Sequence, residues 1–289
     1  MYNRMIPAIK PGAKLVIGLG DSFTQGVGSW PREVWAQYNG NIDTLKIPEE
    51  IYDQMYDNAW VKQLCDNYLT DYIPINLGCL GTGNRSAVKN LYLHPGLKLE
   101  NASEVIVVYM LTGMERFDFV NQTLPEHNHF YTMWPNPWDK NTTNKKLWEA
   151  YAESIWSEIF VCAETLLNIR EAEMICKANK WKLVIASAFD IRITKEYFIK
   201  ELGDHRMDLI NSIPWDKFIY PENKRSFMEL LLHLEGRPEL ALGGFYDYCK
   251  NLKMPTQFVT PCAHPSQNGH NVIAKYIYKH LVSQGLLYS

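Results

Sequence analysis

Lys14-Leu15-Val16-Ile17-Gly18-Leu19-Gly20-Asp21-Ser22-Phe23-Thr24-Gln25-Gly26 is the stretch that decides the fold. Its apolar run is too short for a typical helix and rich in branched residues, which is the composition of a strand buried on both faces. The glycines after it let the chain turn sharply. That turn delivers Ser22 to the strand's C-terminal end, where open α/β sheets bind ligands. A helix starting just after Ser22 would aim free backbone N–H groups at any negative charge forming there.

Several glycine-loop readings fail on single residues. A dinucleotide loop requires G-x-G-x-x-G, and after Gly18 and Gly20 the third place is Phe23. A phosphate loop ends in Gly-Lys-Ser/Thr, whereas Gly26 is followed by Val27-Gly28. The α/β-hydrolase elbow G-x-S-x-G is broken by Thr24. What remains, Gly20-Asp21-Ser22-Phe23-Thr24-x-Gly26 near the N-terminus, resembles the first block of the SGNH, or GDSL-type, hydrolases. For this block alone, a serine that merely caps a helix is the plain alternative.

Composition narrows the partners. A chain of 289 residues with 46% hydrophobic content can bury a full core, as one large domain or one domain with insertions. A net charge of −3, from 29 basic and 32 acidic residues without a Lys/Arg run, disfavours nucleic acid. No apolar stretch approaches the ~20 residues needed to span a bilayer, so no membrane partner is expected. Met1–Pro7 lacks the long apolar region of a secretory signal, and the expected location is the cytoplasm in which the chain is made. Six cysteines (65, 79, 162, 176, 249 and 262) form no C-x-x-C pair and are expected as buried thiols, with no metal site and no cofactor.

Three further blocks follow in order. Asn76-Leu77-Gly78-Cys79-Leu80-Gly81 matches the family's Asn-x-Gly-x-x-Gly, and the resemblance implies Gly81 as an oxyanion-hole glycine. Glu104–Leu111 reads as another buried strand, ending in Thr112-Gly113-Met114-Glu115-Arg116. There the family usually shows Gly-x-Asn-Asp, with the asparagine as an oxyanion donor; alignment puts Glu115 in that place and Arg116 beside it. An ionised carboxylate cannot donate a hydrogen bond and repels an oxyanion. Either Arg116 supplies donors and charge, with Glu115 as its partner or turned outward, or the hole is reduced to two backbone groups. Asp21, directly before Ser22, joins Gly81, Arg116 and Glu115 as an expected oxyanion or substrate-binding residue.

His264-Pro265-Ser266-x-x-Gly269, ahead of an amphipathic helix, is similar to the last block, whose histidine is the general base. The family's acid three residues earlier is here Pro261. The ring must then be held by another group, such as the Pro261 carbonyl or an aspartate from elsewhere. Cys79 or Cys262 paired with His264 is a weaker alternative, because neither has a setting as favourable as that of Ser22.

Helical spacing over 49–69 and strands at 71–77 and 182–188 complete a βα alternation. The expected fold is α/β: a three-layer α/β/α sandwich with a central, mostly parallel sheet of flavodoxin-like SGNH type plus helical insertions. Residues 1–289 form one domain, with an aromatic loop insertion at about 119–144 and a lid-like insertion at about 191–255. The loop's His127 and His129 lack a third ligand and read as solvated. Its rings, Trp134 and Trp138 among them, suit stacking on a sugar. The helical pattern over 144–179 would span about 50 Å if unbroken, so it breaks or projects, and a projecting apolar stripe would serve a homo-oligomer. Asp190, at the end of the fourth strand, either reaches the chemistry or caps a helix. The expected function is a serine hydrolase cleaving an ester with an O-acetyl or other short acyl group, with carbohydrate as a candidate alcohol. The alternative is a catalytically degenerate carbohydrate-binding or structural module.

Overall fold

The computed structural model describes residues 6–40, 42, 48–93, 97, 99–120, 130–133, 142–203 and 206–287. Strand β1 (Ala13–Leu19) lies inside a parallel sheet with β2 (Tyr72–Asn76), β3 (Ala102–Leu111) and β6 (Lys182–Ser187), in the order β2-β1-β3-β6. Pro74 is tolerated because β2 is an edge strand, where a missing N–H disrupts no inner ladder. The chain leaves β1 toward β2 and returns on the other side as β3. Strand order therefore reverses between β1 and β3, which opens a crevice at their C-terminal ends.

The period-two alternation of β1 sorts its side chains into two cores. Leu15, Ile17 and Leu19 face a layer that includes α5 (Asn84–Leu93), α7 (Glu158–Ala178) and α8 (Lys195–Leu202). Val16 faces α4 (Trp60–Asn67), α10 (Phe227–Leu234) and α12 (Gln267–Ser283). Full burial of each such aliphatic side chain stabilises by about 1.5–3 kcal/mol. Helices on both faces of a parallel sheet make the fold a three-layer α/β/α sandwich.

Four segments are seen in more detail. The helix over 49–69 is two helices, α3 (Glu49–Asn58) and α4, because Ala59 turns extended between them. The freed N–H of Trp60 then donates to the buried Nδ1 of His270 at 3.3 Å. The long pattern over 144–179 breaks into α6 (Thr142–Ser154) and α7, with Ser157 capping the second by accepting from the Phe160 N–H. Helix α7 leaves Ile159, Leu167 and Met174 exposed, so part of the apolar stripe faces solvent. Within the segment at 191–255, Phe198, Ile210, Phe227 and Leu230 are fully buried, so its short helices pack onto the core. The part leading into α11 (Phe245–Lys250) lines a cavity together with Phe23 and Ala263. The aromatic insertion contains an antiparallel pair, β4 (Phe117–Val120) with β5 (Phe130–Met133); His127, His129, Trp134 and Trp138 lie outside the described residues.

No helix among the described residues is long and apolar enough to cross a membrane.

Candidate active site

Ser22 opens α1 (Ser22–Gln25), a single turn closed by Gly26 at φ +103°. A turn this short carries little macrodipole, so the expected helix-end field gives way to individual N–H groups. Asp21 caps it, its carboxylate accepting from the Phe23 N–H at 3.0 Å. The same carboxylate, fully buried, also accepts from Thr112 Oγ1 at 2.7 Å and Arg116 Nη1 at 2.8 Å. A buried charge is tolerable only when paired and hydrogen-bonded, as here.

The other half of the site arrives 242 residues later in the chain. A turn clasped by Thr260, whose hydroxyl donates to the His264 carbonyl at 2.9 Å, precedes α12. Gly28 lets the Ser22 segment lie against this turn: a Cβ there would meet the Pro265 carbonyl oxygen at 2.6 Å and His264 Cβ at 2.9 Å. His264 Nε2 stands 2.7 Å from Ser22 Oγ, and its Nδ1 stands 2.6 Å from the Cys262 carbonyl oxygen. A carbonyl can only accept, so Nδ1 carries the proton and Nε2 turns its lone pair to the serine hydroxyl. Burial pushes this imidazole down to about 4, against smaller upward pulls from the Asp21 charge and the Cys262 carbonyl. At neutral pH the ring is an unprotonated base.

The Pro261 carbonyl is therefore not the ring's anchor; the carbonyl one residue later takes that place. Reaching it puts Ala263 at φ +62°, a left-handed conformation that a non-glycine residue adopts at a cost of about 1–2 kcal/mol.

Gly81, at φ +78°, lies in a loop pinned from both flanks. On one side the Leu80 N–H donates to Gln25 Oε1 at 2.8 Å, and Gln25 Nε2 donates in turn to the hydroxyls of Tyr52 and Tyr56. On the other side Arg116 Nη1 donates to the Thr82 carbonyl at 2.9 Å. Cys79 N and Thr82 Oγ1 both donate to the Gly20 carbonyl, at 3.1 and 3.3 Å, bringing the loop against the residues before Ser22. Among the described residues, no acceptor takes the N–H of Ser22 or of Gly81. Backbone N–H groups left without an acceptor are the kind of donor that can hold a tetrahedral oxyanion.

The remaining candidates fall elsewhere. Glu115 forms its ion pair with Arg192 rather than with Arg116. Asp190 neither reaches the serine nor caps a helix: it accepts from the Met114 N–H at 3.1 Å and from Arg192 Nη2 at 2.7 Å, fixing the turn after β3. Thr194 takes the cap of α8. Cys79 and Cys262 are both pushed up to about 11 by burial, so they stay thiols, and His264 Nε2 is engaged with Ser22.

Sequence reasoning missed Gln25, Thr112 and Asp118. Gln25 occupies the free position of its block, where no pattern marks it. Asp118 is buried and accepts from the Gly83 N–H at 3.0 Å and the Ser86 N–H at 2.7 Å, tying the β4–β5 pair to the glycine loop. A lone aspartate in an aromatic stretch gave no signal of this.

No family model and no curated protein matches the sequence. Among solved structures, a member of the lipolytic protein G-D-S-L family from Veillonella parvula aligns at 14% identity over 92% of this chain and 97% of its own, with a TM-score of 0.40. The acetyl xylan esterase AlAXEase aligns at 12% identity over 91% and 98%, with a TM-score of 0.38. LAE5, described as an alpha/beta hydrolase enzyme from the metagenome of Lake Arreo, Spain, aligns at 17% identity over 97% and 99%, with a TM-score of 0.36. At such scores these likenesses add nothing to the chemistry of the site. The resemblance to GDSL-type hydrolases stands on the four sequence blocks and the crevice they share.

Proposed function

We propose that this protein is a serine hydrolase that cleaves carboxylic esters. The observation that carries the reading is the 2.7 Å contact between Ser22 Oγ and His264 Nε2; the N–H groups of Ser22 and Gly81, which no described acceptor takes, are the proposed oxyanion donors. In the proposed reaction His264 Nε2 takes the hydroxyl proton as Ser22 Oγ bonds to the ester carbonyl carbon. The two N–H groups hold the resulting oxyanion. As the C–O bond to the alcohol breaks, His264 returns the proton to the leaving oxygen. A water then attacks the acyl-serine by the same route, releasing the acid and restoring Ser22.

Arg116 serves this cycle from behind: it joins Asp21, on the serine side, to the Thr82 carbonyl, on the glycine-loop side. The oxyanion hole is thus built from backbone donors, with the arginine as a brace. A carbohydrate as the alcohol is a further part of the proposal, motivated by the aromatic composition of residues 119–144. The absence of an acid at position 261 favours the second reading, an inert module on a hydrolase frame. Hydrolysis of p-nitrophenyl acetate separates the two: the enzyme turns it over and Ser22→Ala does not, whereas equal rates in both proteins would reject the serine mechanism.

A further inference from the structure

Beside the serine–histidine pair lies a cavity of about 240 Å³ that the chemistry above leaves unused. Its walls are largely apolar, with Phe23, Phe189, Met228, Leu232, Leu240 and Phe245 among the residues that line it. Two of its residues are chain neighbours of the reacting groups, Phe23 following Ser22 and Ala263 preceding His264. The Phe23 ring stands 5.6 Å from the His264 ring and 5.5 Å from Phe189, so the cavity floor continues from the imidazole. Tyr246 and Leu242 border the mouth and are 61% and 76% exposed.

The cavity's chemistry selects its occupant. Its one carboxylate, Glu229, is already held by Arg225 through the backbone N–H at 2.7 Å and Nη2 at 3.1 Å. A sugar placed here would leave hydroxyls without partners, at a cost of kilocalories each. A hydrocarbon chain loses nothing and removes the exposed rim from water. An apolar cavity of about 150 Å³ suffices for benzene, so the larger volume here has room for about six to ten carbons.

We propose that this cavity receives the acyl chain of the substrate, so that esters of medium-length, unbranched acids are preferred over acetates. This rests on the serine-hydrolase reading and puts a longer acyl group where the sequence suggests acetyl or another short one. The alcohol then leaves on the polar side, toward the Gly81 loop and Arg116.

The test measures kcat/KM for p-nitrophenyl acetate, butanoate and octanoate, and for methyl octanoate against octyl acetate, in the wild type and in Ala241→Trp, which fills the cavity. Each buried methylene is worth about fourfold. Octanoate should therefore exceed acetate by at least about tenfold, and Ala241→Trp should lower the octanoate-to-acetate ratio by at least about tenfold. Ala241→Leu, a smaller addition, should lower it less. A profile that peaks at acetate, or a ratio unmoved by both variants, overturns the proposal while leaving the serine mechanism standing. Preference for octyl acetate over methyl octanoate overturns the acyl assignment in favour of the alcohol. Calorimetric titration with octanoate keeps the two readings apart: octanoate should bind the wild type and bind Ala241→Trp at least about tenfold more weakly. Absence of octanoate binding rejects the cavity assignment whatever the turnover, and binding without any turnover rejects the serine mechanism instead.

Discussion

The proposed nucleophile and the proposed base are supported in opposite ways. Ser22 sits on a shelf of charge, with buried Asp21 paired to Arg116 and hydrogen-bonded to Thr112, and with the Gly81 loop pinned by Gln25. His264 is held by one backbone carbonyl in a turn that adopts a costly φ at Ala263. A carbonyl fixes the tautomer but does less than a carboxylate to stabilise the imidazolium formed during attack. The difference teaches where the charge of this crevice lies: on the side of Ser22 and the Gly81 loop, where the proposed reaction has its oxyanion donors, with the His264 ring kept neutral by burial.

Removing the serine should have the largest effect. Ser22→Ala is expected to lower kcat by at least about 10⁴-fold with an unchanged circular dichroism spectrum. Breaking the shelf comes next. Arg116→Met leaves the buried Asp21 carboxylate unpaired, which should destabilise the fold by about 3–5 kcal/mol in urea denaturation. Double replacement with Asp21→Asn should recover part of that loss. Gln25→Leu strands the Leu80 N–H and should cost about 1–3 kcal/mol, with a fall in kcat larger than any rise in KM because the Gly81 donor moves.

The pH dependence sharpens the base side. With His264 lowered to about 4, kcat/KM should stay on its plateau down to pH values where an ordinary histidine is already protonated, with its acid limb near 4. Stability carries the matching signature. Burial also lowers His270, to about 3, so the unfolded chain binds more protons than the native one between the ordinary histidine value and these folded values. The contribution is complete above about pH 6.5 and is lost as pH falls toward 4 and 3, visible as a falling urea midpoint. The smallest effect belongs to Ala263→Gly, which relieves the φ of +62° and should raise stability by about 1 kcal/mol or less.

What the sequence makes legible follows from the range of its signals. The β1 run, the glycines and the His-Pro-Ser block are local patterns, and each lands where its spacing places it. Side-chain partnerships across the crevice are not local. Glu115 and Arg116 are adjacent in the chain yet turn to different partners, Arg192 and Asp21, because the turn after β3 sends successive side chains apart. The Cys262 carbonyl was hidden for another reason: backbone acceptors carry no residue-type mark. The cavity wall at 240–246 carries no such signal, because its glycines and short helical pieces lack a long periodic run, although Leu240 and Phe245 pack against the core.

The most direct measurement is mass spectrometry of the protein after exposure to a fluorophosphonate at neutral pH. A single adduct on the peptide bearing Ser22, greatly slowed in His264→Ala, is the predicted result. Ester hydrolysis without an adduct there, or an adduct on another residue that alone abolishes hydrolysis, would contradict the assignment of Ser22 and His264 as the reacting pair.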